Sequence, residues 1–382
     1  MRDYKNEIAA YLDEVKNREK DNLDKILDNI EEFKYVCIFG AGMTSQTLIP
    51  LWKRNIDKKI DFLCDNDKTK WGKIFHGDIV CISPDELKKY KDEVAVIIAT
   101  RFIKEIYMQL KEEGFSNIHY IGDYRLGSRS FLKNKKNIDI IKDNIVQMLD
   151  VLEDTASKDI LVSLIKIWFD YDVTGLEYSS IYSGDEYYPD DIIKLRENES
   201  FVDAGAYTGD SVISFLKKVN YSFDSIFAFE LDKENFKALE FAIKDLDKHI
   251  IDKIHLYNVG VFDEEKTISY EHGNEKGANY HISNSIFGMK QGKTVRLSDI
   301  LNGERVSFIK MDIEGAELNA LYGAEELIKK YKPALAICVY HKPEHLWEIP
   351  SYIKKIVPEY KLYLRHHSSL EYQTVCYAVC KD

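Results

Sequence analysis

The chain has 382 residues, enough for two domains at the usual ~150 residues each, and its 45% apolar and 31% charged content is that of a folded globular protein. A net charge of −12, from 65 acidic and 53 basic residues, argues against a phosphate backbone as partner. No run of 18 apolar residues is present and the N-terminus is polar, so neither a membrane span nor a signal peptide is expected. Six cysteines (37, 64, 81, 338, 376, 380) sit mostly in apolar runs without CxxC pairing, which suits buried free thiols and a cytoplasmic setting.

Residues 1–33 place Ile8, Leu12, Val15, Leu23, Ile26, Leu27 and Ile30 at helical spacing. A helix packed on the next domain suits the short repeat better than a dimerising coil, although a homodimer stays open. Residues 34–125 read as an α/β unit. Tyr35–Phe39 is a strand, Gly40-Ala-Gly42 a turn, Thr44–Arg54 a helix, and Ile60–Cys64 a strand ending in Asp65-Asn66-Asp67. Val94–Ala99, ending at Thr100, and Asn117–Ile121 supply two more strands. Gly40, Gly42, Asp65, Asn66 and Thr100 are the residues such a unit would turn toward a nucleotide. Ser45 stands where a dinucleotide site has its third glycine, and the unit is one mononucleotide half. The nucleotide of a nucleotide-sugar therefore fits better than NAD, and a purely structural unit is the plain alternative.

Residues 126–195 read as an amphipathic helical connector and cap. They end in a segment rich in tyrosine and acids, Tyr178-Ser-Ser-Ile-Tyr182-Ser-Gly-Asp-Glu-Tyr187-Tyr188, whose rings suit stacking on a sugar or adenine. Residues 196–382 then follow a regular strand pattern. The first strand ends at Asp203, turns on Gly205 and Gly209, and enters the helix Ser211–Val219. The second, Ser225–Phe229, ends in Glu230, where an acid suits ribose hydroxyls. Asp203, Tyr207 and Asp210 around the turn disfavour a pyrophosphate and favour a cation, so S-adenosylmethionine fits the charge. Its expected contacts are Asp203, Ala204, Gly205, Tyr207, Gly209, Asp210 and Ser211 from the first loop. Glu230 and Leu231 follow from the second strand, Asn258, Val259 and Gly260 from the third (Ile254–Val261), and Asp312 from the fourth.

An insertion over residues 264–298 carries strand-like Thr267–Tyr270 and Thr294–Leu297 and the polar segment Asn279–Ser285. The fourth strand, Val306–Asp312, bears Lys310 and Asp312 where an enclosed strand should be apolar. Two charges at a strand's carboxyl end are paired or used. Glu314 and Glu317 open the next helix, His341 follows the fifth strand, and His366 ends the sixth (Tyr360–Arg365). Gln373–Cys380 is the seventh. Asp312 would orient or deprotonate an acceptor hydroxyl, with Lys310, Glu314, His341 and His366 beside it. A divalent metal on Asp312 is open but not expected.

The segments Phe201–Asp210, Ile309–Glu317, His341–Pro350 and Tyr363–His367 together resemble the FkbM family of S-adenosylmethionine-dependent O-methyltransferases, in the right order over residues 176–382. The N-terminal unit resembles the Rossmann-like modules attached to enzymes of bacterial surface-polysaccharide synthesis, chiefly in Gly40–Gly42, Asp65–Asp67 and Ser83–Leu87. The resemblance implies an α/β protein with a seven-stranded class I methyltransferase sheet after a smaller Rossmann-like domain. It also implies O-methylation of a sugar hydroxyl, on a nucleoside-diphosphate sugar or a glycan. A nicotinamide-dependent sugar oxidoreductase and a non-catalytic cofactor-binding scaffold are the rival readings.

Overall fold

The computed structural model describes residues 2–122, 126–170, 180–272, 280–282, 290–368 and 371–380. The connector's residues 171–176, Tyr178 and Ser179, and Asn279 and residues 283–285 of the insertion lie outside them. The chain divides into two units. The first comprises Met1–Leu149, Lys158–Tyr182 and Ser368–Glu371, and the second Asp150–Ser157, Ser183–His367 and Tyr372–Asp382.

The N-terminal stretch is two helices, Tyr4–Asn17 and Asn22–Glu31, the second started by a capping box in which Asp21 and Asp24 serve each other's backbone N–H. The six strands of the first unit are β1 (Tyr35–Phe39), β2 (Phe62–Cys64), β3 (Ile74–Phe75), β4 (Ile79–Ile82), β5 (Val94–Ile98) and β6 (Ile118–Tyr120). They form one sheet in the order β3-β4-β2-β1-β5-β6, parallel except for β3. The sequence pattern anticipates four of these strands. β3 and β4 are not among them; β3, at two residues, is too short to show a period. Every residue of β5 is buried, as a strand covered on both faces requires.

The order reverses between β1 and β5, the usual crevice of an open α/β sheet. Gly40 there has φ of +119°, and a side chain on it would come within 2.3 Å of the Ala99 carbonyl oxygen. Asp65 is spoken for locally: it accepts from the N–H of Ala41 and of Asp67, both at 2.8 Å, and pairs with Lys70. Asn66 bonds Gln109, and Thr100 accepts from the Phe102 N–H.

The second unit's central sheet comprises β7 (Ser200–Ala204), β8 (Ser225–Phe229), β9 (Ile254–Tyr257), β14 (Phe308–Met311), β15 (Ala334–Cys338), β16 (Lys361–His366) and β17 (Thr374–Val379), in the order β16-β17-β15-β14-β7-β8-β9. β17 runs antiparallel between β15 and β16, as the late pair of strands suggests. The expected third strand is broken at Asn258. β9 stays in this sheet, whereas β10 (Gly260–Val261) joins β11 (Lys266–His272), β12 (Tyr280–Ile282) and β13 (Lys290–Val295) in a four-stranded sheet ordered β10-β13-β11-β12. The expected strand Thr294–Leu297 is therefore the end of β13, and Leu297 begins a short helix. All six cysteines are free and all but Cys380 are buried.

One buried group of the first unit carries a pH test. His119 on β6 is 7% exposed, and burial pushes its pKa down to about 4. The unfolded ring titrates near 6.5, so between these values the unfolded chain binds a proton that the native ring refuses. Stability is full above about pH 6.5 and falls as pH drops toward 4, by up to ~3 kcal/mol from this residue. His119→Gln is expected to flatten the acid limb of denaturant unfolding measured between pH 7.5 and 4.5. Parallel limbs for the two proteins would refute the assignment.

Candidate active site

The carboxyl ends of β7, β8 and β14 lie side by side, because β7 pairs with β8 on one edge and with β14 on the other. A cavity of about 330 Å³ opens beyond them. Its floor is the loop after β7. Gly205 takes φ of +83°, and a Cβ there would fall 1.9 Å from the Asp312 carbonyl oxygen, so the β7 and β14 ends can meet only through glycine. The N–H groups of Gly205 and Ala206 both donate to the Phe229 carbonyl, and Tyr207 follows at φ of +47°.

Glu230 closes one side. Its two oxygens accept separately from the N–H of Tyr207 (2.9 Å) and of Asp232 (2.7 Å), which fixes the carboxylate at the cavity wall. Asn258 holds the β8 end from behind, donating to the carbonyls of Glu230 and Leu231. The small sheet adds Val261, Ile268 and Thr294 to the wall.

Asp203 and Lys310 are register partners on β7 and β14 and form a buried ion pair at 3.0 Å, 0% and 3% exposed. Lys310 Nζ also donates to the Gly205 carbonyl at 2.6 Å, and Ser211 Oγ donates to Asp203. Burial works against the lysine's charge, but Asp203 and then Asp312 outweigh it and raise its pKa.

Asp312 follows β14 into the cavity. Tyr187 OH donates to Oδ2 at 2.8 Å and Tyr340 OH to Oδ1 at 3.0 Å. Burial and then Asp312 push both phenols well above their usual range, so they act as donors. Glu314, at φ of +56°, is pushed up to about 8, chiefly by burial. His341 places Nε2 3.4 Å from Asp312 Oδ1 and 3.4 Å from Glu314 Oε2, with Nδ1 2.8 Å from Glu317 Oε1. Burial lowers the His341 pKa, but Glu317, Glu314 and Asp312 more than reverse this and raise it to about 9. Glu317, wholly buried, accepts from the N–H groups of Ile313 and Gly315 and faces His345 Nδ1 at 3.2 Å. Despite burial, His341 and then His345 hold it far below the usual carboxylate range.

Of the residues expected to contact the cofactor, Gly205, Tyr207, Asp210, Ser211, Glu230, Leu231, Val259, Gly260 and Asp312 line this cavity. Asp203, Ala204, Gly209 and Asn258 stand behind the lining. Among the expected catalytic group, Lys310 and Glu314 line it with Asp312, and His341 sits against Asp312. His366 is not brought to it: β17 separates β16 from β15, and the buried ring bonds Thr374 Oγ1 at 2.8 Å. Sequence reasoning missed Tyr340, Ile313, Gly315, Ala316 and Lys342. Tyr187 was visible only as one tyrosine in an aromatic run. The signal for Tyr340 was present, since it directly precedes His341 at a strand end facing the same cleft.

Residues 203–367 match the methyltransferase FkbM domain family, and residues 3–121 match the C-methyltransferase C-terminal domain family. The protein is a methyltransferase whose residues 203–367 match the FkbM domain. Across its length it is similar to the methyltransferase FkbM from Methylobacillus flagellatus, at 19% identity and TM-score 0.74, covering 98% of this chain and 99% of that one. An rRNA methylase from Streptococcus thermophilus, at 15% identity, overlaps 49% of this chain and 90% of its own, with TM-score 0.32. None of the curated proteins matches. Among the described residues no helix is long and apolar enough to cross a membrane.

The methyltransferase domain rests on the Asp203–Lys310 pair, which invites a double-mutant test. Lys310→Met strands a buried carboxylate and is expected to destabilise the domain by about 3–5 kcal/mol. Lys310→Met with Asp203→Asn is expected to cost less than the two single changes summed. Additive costs in urea unfolding would mean that the pair is not coupled.

Proposed function

We propose that the C-terminal unit binds S-adenosylmethionine in the cavity beyond β7, β8 and β14 and methylates a sugar hydroxyl, on a nucleoside-diphosphate sugar or a growing glycan. The observation that carries this reading is Asp312, a carboxylate on the cavity wall aimed by two tyrosine hydroxyls. The cradle fits the cofactor in two respects. Gly205 lines the cavity with bare backbone at the end of the first strand, and Glu230 is fixed as a hydrogen-bond acceptor at the end of the second strand, where ribose hydroxyls would bind. The bound cofactor supplies a methyl group on a sulfonium.

Asp312 would orient the acceptor hydroxyl and receive the proton that oxygen loses as it is methylated. Tyr187 and Tyr340 orient that carboxylate, and the apolar wall of Phe229, Val261 and Ile268 keeps water from the reacting groups. The first unit would hold a nucleotide at Gly40 and Gly42, beside the crevice between β1 and β5. The likeness of residues 3–121 to a C-methyltransferase domain favours one second reading, transfer to a carbon of the sugar.

S-Adenosylhomocysteine at ~100 times its dissociation constant is expected to raise the unfolding midpoint by a few degrees, and NAD to leave it unchanged. Glu230→Gln should weaken S-adenosylhomocysteine binding about tenfold. Asp312→Asn should keep that affinity within about threefold and lower turnover at least ~100-fold. Stabilisation by NAD and not by S-adenosylhomocysteine would end this reading. Incubation with a panel of nucleoside-diphosphate sugars, followed by NMR, separates a methyl ether from a carbon-bound methyl.

A further inference from the structure

Residues 363–367 carry part of the family resemblance, yet none of them lines the cavity. Two of them hold the loop of residues 183–188 instead, and that loop delivers Tyr187 to Asp312. The Ser183 N–H donates to the His366 carbonyl at 2.7 Å, and the His366 N–H donates to Ser183 Oγ at 3.2 Å. From the far end of the β16–β17 connection, Gln373 Nε2 donates to Glu186 Oε2 at 3.1 Å.

His367 stands at the centre of these contacts, 7% exposed. Its Nδ1 lies 2.8 Å from the Gly184 carbonyl oxygen. A carbonyl can only accept, so Nδ1 carries a proton. Burial holds the pKa below the usual imidazole value, which keeps the ring neutral near neutral pH and leaves Nε2 a bare acceptor. Tyr377 OH, 2.8 Å from Nε2, therefore donates to it. The phenol oxygen in turn accepts from the Tyr187 N–H at 2.9 Å. The chain of bonds ends where the Tyr187 hydroxyl meets Asp312 Oδ2 at 2.8 Å.

Tyr187 needs such an anchor. It takes φ of +64°, in the left-handed region that a residue with a side chain keeps only where its surroundings fix it. The bond from its N–H to the buried Tyr377 is the contact that fixes it. Without that bond the backbone is free to return to negative φ, which carries the hydroxyl away from Asp312.

We propose that His367 is a positioning residue of the acceptor site, setting the direction of the Asp312 carboxylate through Tyr377 and Tyr187. The role given to Asp312 rests on the acceptor-site reading above, whereas the hydrogen-bond chain stands apart from it. Only one tautomer serves: with its proton on Nε2, the ring would turn a bare Nδ1 to the Gly184 carbonyl and offer Tyr377 no acceptor.

The test places a meta-fluorinated tyrosine at position 187 of the full-length protein and follows its fluorine NMR resonance, with S-adenosylhomocysteine binding measured in parallel. Asp312→Asn, which weakens the bond at the ring's hydroxyl, is expected to shift the resonance. His367→Phe and Tyr377→Phe keep a ring in place and break the chain, and each is expected to shift it as well. His367→Gln, whose amide can still accept from Tyr377, is expected to shift it less. Should His367→Phe fail to fold, Tyr377→Phe carries the same expectation, and nitrogen NMR of protein with isotopically labelled histidine should show the His367 proton on Nδ1 alone. A resonance that Asp312→Asn moves and neither phenylalanine variant moves overturns the proposal. So does one indifferent to Asp312→Asn, or a proton on His367 Nε2 at neutral pH. The expected shifts in a protein that does not bind S-adenosylhomocysteine support the positioning chain and remove the cofactor reading instead.

Discussion

The ion pair between Asp203 and Lys310 is the constraint on which the C-terminal unit turns. Burying two charges at the middle of a sheet costs more than their attraction returns unless the remaining donors and acceptors are used. Here they are used on the spot. Lys310 holds the Gly205 carbonyl, and Asp203 takes the Ser211 hydroxyl at the start of the helix Asp210–Lys218. The pair thereby ties two neighbouring strands, the loop between β7 and its helix, and that helix into one rigid floor. Replacing it by apolar residues would free the loop, whatever it did to the sheet. A lysine and an aspartate in otherwise apolar strands are therefore the signature of a loop that must not move.

That floor carries backbone conformations that would otherwise relax. Gly205, Tyr207 and Gly209 after β7, and Glu314 and Gly315 after β14, all take positive φ. Two of these five have a side chain, and holding each costs of order 1–3 kcal/mol. Both non-glycine cases aim something at the cavity. Tyr207 turns its N–H onto Glu230, and Glu314 turns its carboxylate toward His341. The strain is concentrated where two strand ends present groups to one space.

Much of this was legible in the sequence, for identifiable reasons. The strand–glycine–helix turn at Phe201–Asp210 and the acid at Glu230 follow from local rules, and charged residues in a buried strand announce themselves at Lys310 and Asp312. Less was legible where the partner is distant in sequence. Asp203 reads as a ligand contact because it stands beside the turn. Its partner, Lys310, is 107 positions later, and only the β7–β14 register brings them together. Conversely Tyr340 and Tyr187 find Asp312 from elements that no periodicity connects. His366 looked like a neighbour of His341 because sequence order places the sixth strand after the fifth. The antiparallel insertion of β17 moves it one strand away. Strands of two residues, such as β3 and β10, leave no pattern at all.

The arrangement about Asp312 also constrains how an acceptor hydroxyl can be activated. Each of its oxygens accepts a phenolic hydrogen bond. Two tyrosines that stay protonated hold Asp312 in place. His341, the other base within reach, is held protonated by the acids around it. The site is thus well built to hold Asp312 in one orientation toward the cavity. Glu317, a wholly enclosed carboxylate, serves no acceptor directly, but by fixing the far nitrogen of His341 it leaves the near one facing Asp312 and Glu314.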